Sequence, residues 1–208
     1  MTEADWLACT DPQKMLEFLR GKASDRKLRL FAVACCREFV NFPSHGLDPK
    51  PIELGERCAD GLATDADRTA AFESIQMQKE NAVFEQQFER AAWLLAIQSM
   101  VFTNIWDGIG YTPGWSTPAW HYPKKCHLLR DIFVSLFHAV TIERLWLTSN
   151  VVALAETIYD ERAFERMPIL ADALEDAGCT NAEVLNHCRS GGEHVRGCWV
   201  VDLVLGKG

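Results

Sequence analysis

Apolar residues recur along this chain mostly at three- and four-residue intervals, the spacing of helices with one buried face. Residues 2–9 predict a short helix whose apolar contacts are Trp6 and Leu7. Asp11-Pro12 reads as a helix start. An Asp there accepts from the first free amides, and a Pro in the first turn has no N–H to leave unpaired. Met15, Phe18 and Leu19 follow at helical spacing, and Gly21 stops the segment. Ser24 is the next candidate cap, with Asp25 favoured by the helix dipole. Leu28, Phe31, Ala32, Cys35, Phe39 and Val40 then form one stripe, predicting a core helix over 25–41.

Asn41 to Pro49 is turn-rich, and Pro51 restarts a helix through Ile52, Leu54, Cys58 and Leu62. Thr64-Asp65 caps a helical stretch reaching about residue 107, polar in its first half and apolar in its second. Such a stretch begins on the surface and ends buried. No Pro or Gly interrupts it, so a break inside it carries no marker. Residues 108–123 are the long irregular stretch, rich in Pro, Gly and aromatics. Residues 124–137 read as helical, with His127 and Asp131 one turn apart, as are Cys126 and Arg130. Ile142 to Leu147 is a connector with a buried Trp146. Thr148 or Ser149 then caps a helix through Val152, Leu154, Ala155 and Ile158.

The last forty residues are the most clearly punctuated. Pro168 starts a helix through Leu170, Ala171 and Leu174, and Gly178 ends it. Thr180-Asn-Ala-Glu183 fits a capping box, hydroxyl first and carboxylate three residues on. Val184 and Leu185 face inward before Ser190-Gly-Gly192 ends that helix. His194 to Leu205 is apolar enough to be helix or buried strand, and the helical context favours helix. Asp202 within it requires a basic partner if buried, with Arg196 the candidate. The fold expected is mainly α, a multi-helix globular bundle with a long aromatic Pro/Gly loop between helices. It is expected as one domain over residues 1–208, with residues 64–123 as its middle.

Composition supports that picture: 208 residues, 48% hydrophobic and 24% charged, are enough for a sizeable core. The net charge of -8 argues against a sequence-independent nucleic-acid binder, which displaces counterions with a basic stripe. Arg20, Lys22, Arg26, Lys27 and Arg29 make a local basic patch that reads as a solvated helix face. No run approaches the roughly 18 apolar residues of a spanning helix. The acidic start Met1-Thr-Glu-Ala-Asp5 lacks the basic-then-apolar order of a secretion signal. A cytoplasmic protein without a membrane partner is expected, and its eight cysteines should then be reduced.

Three groupings could carry chemistry. Cys35 and Cys36 are adjacent on a helix and diverge by roughly 100°, so a buried Cys35 beside a partly exposed Cys36 is expected, without a disulfide. Tyr111, Trp115, Trp120, His121 and Tyr122 fall in the irregular stretch, either as a lid over the helices or as a wall for a ligand or partner. Cys179, His187, Cys188, His194 and Cys198 are the densest Cys/His set. On a helix, His194 and Cys198 would share a face at i, i+4, a spacing that suits Zn²⁺, which takes four N/S ligands. Against a metal, the set has no Cys-x-x-Cys knuckle, and His187 and Cys188 diverge. Buried thiols with hydrogen-bonded histidines explain the same residues. A third reading pairs Cys188 with His194 as nucleophile and base.

The stretches Thr2-Glu-Ala-Asp-Trp-Leu-Ala-Cys-Thr-Asp-Pro12 and Met15 to Arg37 resemble the opening of a large paralogous family of planctomycete proteins. Leu128-Leu-Arg-Asp-Ile-Phe133 resembles its middle, and Ile158 to Lys207 its end, so the resemblance covers roughly half the chain. The aromatic stretch and Val134-Ser-Leu-Phe-His138 depart from it, since the family has a Gly-Asn-Pro-Phe turn at the latter place. Met167-Pro-Ile-Leu-Ala-Asp-Ala-Leu-Glu-Asp-Ala-Gly178 is similar to the repeat-companion domain, a helical module found beside leucine-rich repeats. The resemblance implies a bacterial protein with the family's fold and an interaction role, and supplies no catalytic residues. No Gly-rich phosphate loop, Gly-x-Ser-x-Gly elbow or His-Glu-x-x-His occurs. The favoured expectation is therefore a non-enzymatic helical interaction module with a protein partner and no cofactor. The alternatives are a metal-binding protein, with zinc at the C-terminal Cys/His set, and a thiol- or His-dependent enzyme using residues 108–123 as substrate wall.

Overall fold

The computed structural model describes residues 1–40, 48–101, 122–133, 136–137 and 140–208. Among them are eleven α-helices and no strand. In chain order they are α1 (Glu3–Ala8), α2 (Pro12–Leu19), α3 (Asp25–Val40), α4 (Lys50–Ala59), α5 (Asp65–Phe84), α6 (Phe88–Val101), α7 (Tyr122–Phe133), α8 (Ser149–Glu161), α9 (Met167–Asp176), α10 (Ala182–Arg189) and α11 (Trp199–Leu205). Short 3-10 turns at Arg144–Trp146 and Phe164–Arg166 precede α8 and α9. The turn-rich stretch 41–47, the aromatic stretch 108–121, Phe102, Ile105 and most of 134–139 lie outside the described residues.

The chain divides into two compact units. The first joins Met1–Phe18 to Cys126–Gly208, and the second is Leu19–Lys125.

In the second unit α3 packs on α4 and α6, and α5 packs along α6. Helix α3 is buried all round from Leu28 to Cys36, more than a one-face stripe implies. Cys36 is therefore buried with Cys35, contrary to its expected partial exposure. Arg37 reaches Glu56 on α4 at 2.9 Å, pairing a carboxylate that is almost fully buried. The helical stretch after Thr64, which the sequence leaves either broken or continuous, breaks at residues 85–87. Gln86 takes φ 60, while the N–H groups of Gln86 and Gln87 donate to the carbonyls of Val83 and Ala82. That is the hydrogen-bond reversal that closes a helix with a left-handed residue. Here Gln occupies the position usually given to Gly, so composition left no trace of it. The corner also leaves Val83, Phe84 and Phe88 exposed. Helix α4 ends at Ala59, before the expected Leu62, which is exposed.

In the first unit α8, α9, α10 and α11 enclose a core of Val151, Ala155, Ile158, Tyr159, Leu170, Leu174, Val184 and Val200. Each fully buried leucine contributes at most about 1.5–3 kcal/mol. Trp6 is buried against Phe18 and Phe137, with ring centroids 5.9 and 5.8 Å away, whereas Leu7 is exposed. Arg130 of α7 donates to the carbonyls of Trp6 and Cys9, satisfying the last turn of α1. Its expected neighbour one turn back, Cys126, is buried. The Thr148 cap forms as expected: its hydroxyl accepts from Val151 N–H at 3.3 Å. The cap of α10 is Asn181, one residue beyond the expected Thr180. Its side-chain oxygen accepts from Glu183 and Val184 N–H at 3.0 and 3.2 Å. An Asx acceptor reaches these amides as well as a hydroxyl does, so the helix starts one residue later. The run His194–Leu205 is helical only from Trp199.

Candidate metal centre

Four side chains of the first unit converge: Asp131 of α7, His187 of α10, and His194 and Cys198 of the segment leading into α11. One ligand atom from each lies within 4.8 Å of all the others. Asp131 stands among Leu128, Leu129, Ile132 and Phe133, the buried face of α7, and is itself 2% exposed. His187 sits in the last turn of α10, and the Ser190 hydroxyl donates to its carbonyl at 2.7 Å as that helix ends. His194 and Cys198 then flank a turn in which Cys198 N–H donates to Val195 O at 2.9 Å. Gly197 takes φ 96 there, a conformation costly for any residue with a Cβ. The turn, and not the i, i+4 spacing of a helix, brings His194 and Cys198 together.

The donors face one another closely. Asp131 Oδ1 lies 2.6 Å from His194 Nδ1 and 3.1 Å from His187 Nε2. Cys198 Sγ lies 3.2 Å from the same His187 Nε2 and 3.8 Å from the same His194 Nδ1. The imidazoles meet edge to face, centroids 4.8 Å apart, and His187 also packs on Trp199 at 5.1 Å. The second carboxylate oxygen of Asp131 accepts from Val195 N–H at 3.0 Å.

The electrostatics follow from burial. Desolvation by itself would raise the Asp131 carboxyl, but hydrogen bonds and charge from His187 and His194 overcome it and hold the group at about 2. The Cys198 thiol is pushed well above its ordinary range, first by burial and then by the Asp131 carboxylate. Hydrogen bonds from the amides of Val201 and Val200 act in the other direction.

Each imidazole aims one nitrogen at both the carboxylate and the sulfur. A Cys–His–Asp catalytic relay needs the opposite arrangement, the base using one nitrogen for the nucleophile and the other for the acid that orients it. A common focus of O, N, N and S donors is instead the arrangement of metal ligation. Bonds of about 2.0–2.3 Å to a tetrahedral Zn²⁺ imply ligand–ligand edges of about 3.2–3.8 Å. Three of the four distances above lie within about 0.1 Å of that range. The fourth, Asp131 to His194, is a short hydrogen bond that would open by about 0.6 Å on coordination.

Of the five residues grouped from the sequence, the structure brings His187, His194 and Cys198 into this set. Cys179 and Cys188 are buried in the hydrophobic core and are not members. Cys188 follows His187 on α10, so it points about 100° away from it. Burial, then the Asp131 charge, raises the Cys188 thiol to about 12. Tyr111, Trp115, Trp120 and His121 lie outside the described residues. Tyr122 opens α7, with Lys125 Nζ 5.8 Å from its ring centre. Asp131 is the member that the Cys/His grouping missed. The available signal was a carboxylate set between apolar pairs on one helix, which requires a buried partner.

Among the described residues no helix is long and apolar enough to cross a membrane. Compared with known proteins, the chain matches no family model, no curated protein and no solved structure.

Proposed function

We propose that this chain is a metal-binding helical protein that holds a structural Zn²⁺ through Asp131, His187, His194 and Cys198. The observation that carries the reading is the shared focus: Asp131 Oδ1 and Cys198 Sγ each lie within 3.8 Å of the same nitrogen on both imidazoles. One thiolate, two imidazoles and one carboxylate suit a borderline ion with tetrahedral preference. A structural role fits better than a catalytic one, because four protein donors fill the tetrahedron and three of them are buried. The ion would cross-link α7, the end of α10 and the start of α11, fixing chain segments far apart in sequence. The thiol-enzyme alternative has less support: Cys188 and Cys198 are both fully buried, away from any substrate.

Elemental analysis of protein purified without chelator tests the proposal. About one equivalent of zinc is expected, lost on dialysis against a strong chelator and regained on adding Zn²⁺. Protein that takes up less than about a tenth of an equivalent after zinc is supplied refutes it. A second reading, a protein-interaction module, is supported by Val83, Phe84 and Phe88 at the α5–α6 corner, exposed by 50%, 90% and 66%. If these residues dock a partner, replacing Phe84 and Phe88 with Ser removes proteins co-purified from the native cell without lowering thermal stability. Unchanged co-purification refutes that reading.

A further inference from the structure

A histidine that binds a metal ordinarily fixes its ring through the other nitrogen, which donates to a carboxylate or carbonyl. His194 turns Nδ1 toward the cluster, and its buried Nε2 has no hydrogen-bond partner among the described residues. The ring must be oriented in another way, and the backbone on either side of it shows how. On the C-terminal side, Val195 N–H is held by Asp131. On the N-terminal side, the Glu193 carbonyl accepts from His127 Nε2–H at 2.8 Å. His127 and Asp131 lie one turn apart on α7, so a single helix face grips residues 193–195 on both sides of the ligand. The chain comes close enough to allow this because residue 192 is glycine: a Cβ there would run into the His127 ring.

Building on the zinc site above, we propose that His127 is a positioning residue for the metal centre. It touches neither the focus of the cluster nor the ion. By holding the Glu193 carbonyl it sets the direction of His194 Nδ1, supplying through the main chain the constraint that the bare Nε2 does not. A second grip acts from the far side of the turn. Arg196 donates to the carbonyls of Tyr159 and Asp160 at 2.9 and 3.0 Å, tying the same turn to the end of α8. The site is thus shaped before metal arrives, and the loss of one grip should loosen the ligand without unfolding the unit.

Cobalt binding separates the possibilities. Co²⁺ in a tetrahedral site with one sulfur and two imidazole ligands gives intense visible d–d bands and a sulfur-to-cobalt charge-transfer band. Three proteins are titrated: the wild-type full chain, His127→Gln, whose amide N–H can still reach Glu193 O, and His127→Phe, which keeps a ring against Gly192 but cannot donate. The Phe variant is expected to bind about 10–100-fold more weakly, the range for loss of an outer-shell partner, with weakened or shifted d–d bands. The Gln variant should stay within about threefold of wild type with an unchanged spectrum. Melting curves in excess chelator, similar for all three, separate loosened ligation from lost folding. Wild-type-like binding and spectrum in His127→Phe overturns the role of His127 and leaves the zinc site standing. So does a Gln variant as weak as the Phe variant, because the hydrogen bond would then not be what matters. Wild type that gives no tetrahedral spectrum overturns both the site and this inference.

Discussion

Asp131→Asn keeps the shape of the side chain and removes the carboxylate from the centre. In the wild type, one oxygen accepts from His194 at 2.6 Å and His187 at 3.1 Å, and the other from Val195 N–H at 3.0 Å. An Asn can keep the Val195 bond through its carbonyl, but then sets an NH₂ group where Oδ1 stood. Two charge-assisted bonds are lost in the metal-free protein, at a cost of about 1.5–3 kcal/mol each. The effect on metal is larger. Outer-shell changes weaken zinc about 10–100-fold, so about 100-fold is a conservative figure for losing a ligand. At free zinc near 1,000 times the wild-type Kd, wild type gains about 4.1 kcal/mol and the variant about 1.4 kcal/mol. For a chain of this size, each kcal/mol moves Tm by about 2–4 °C. Zinc should therefore raise the wild-type Tm by about 8–16 °C and that of Asp131→Asn by about 3–6 °C. Circular-dichroism melts in a zinc buffer and in excess chelator measure both terms. Equal zinc shifts in the two proteins would exclude Asp131 as a ligand. A variant as stable as wild type in chelator would contradict the hydrogen-bond count.

Two further expectations concern the rest of the fold. None of the eight cysteines is in a disulfide and six are buried, and burial raises Cys35 and Cys188 to about 12. Alkylation of the native protein at about pH 8 should label only Cys9 and Cys58, all eight reacting after denaturation; mass spectrometry finding Cys35 or Cys188 modified in the folded state would contradict their packing. Asn181→Ala should cost about 1 kcal/mol in urea unfolding and Thr180→Ala less than about 0.5 kcal/mol, and the reverse order would return the cap to Thr180.

The punctuation of this chain is written locally and could be read locally. Thr148, Pro168 and Gly178 mark their helix ends because capping joins groups only a few residues apart. The same locality explains the misses. At Gln86 a left-handed residue closes α5 without glycine, so nothing in the composition announced the corner or the exposure of Phe84. Cys36 was assigned to a surface from the stripe of its own helix, but its burial depends on what packs around that helix.

The candidate centre divides in the same way. The sequence by itself supplied its chemistry: two histidines and a cysteine within twelve residues, and a carboxylate among leucines on a helix. It also showed that His187 and Cys188 must diverge, since neighbouring residues on a helix do. Only tertiary structure decided which donors meet. Asp131 and His194 are 63 residues apart, and no periodicity within one element relates them. The turn at Gly197, the grip of α7 on residues 193–195 and the packing of α10 bring them to one focus, leaving Cys179 and Cys188 in the core. A buried carboxylate has to find a partner somewhere, and the folded chain determines which one.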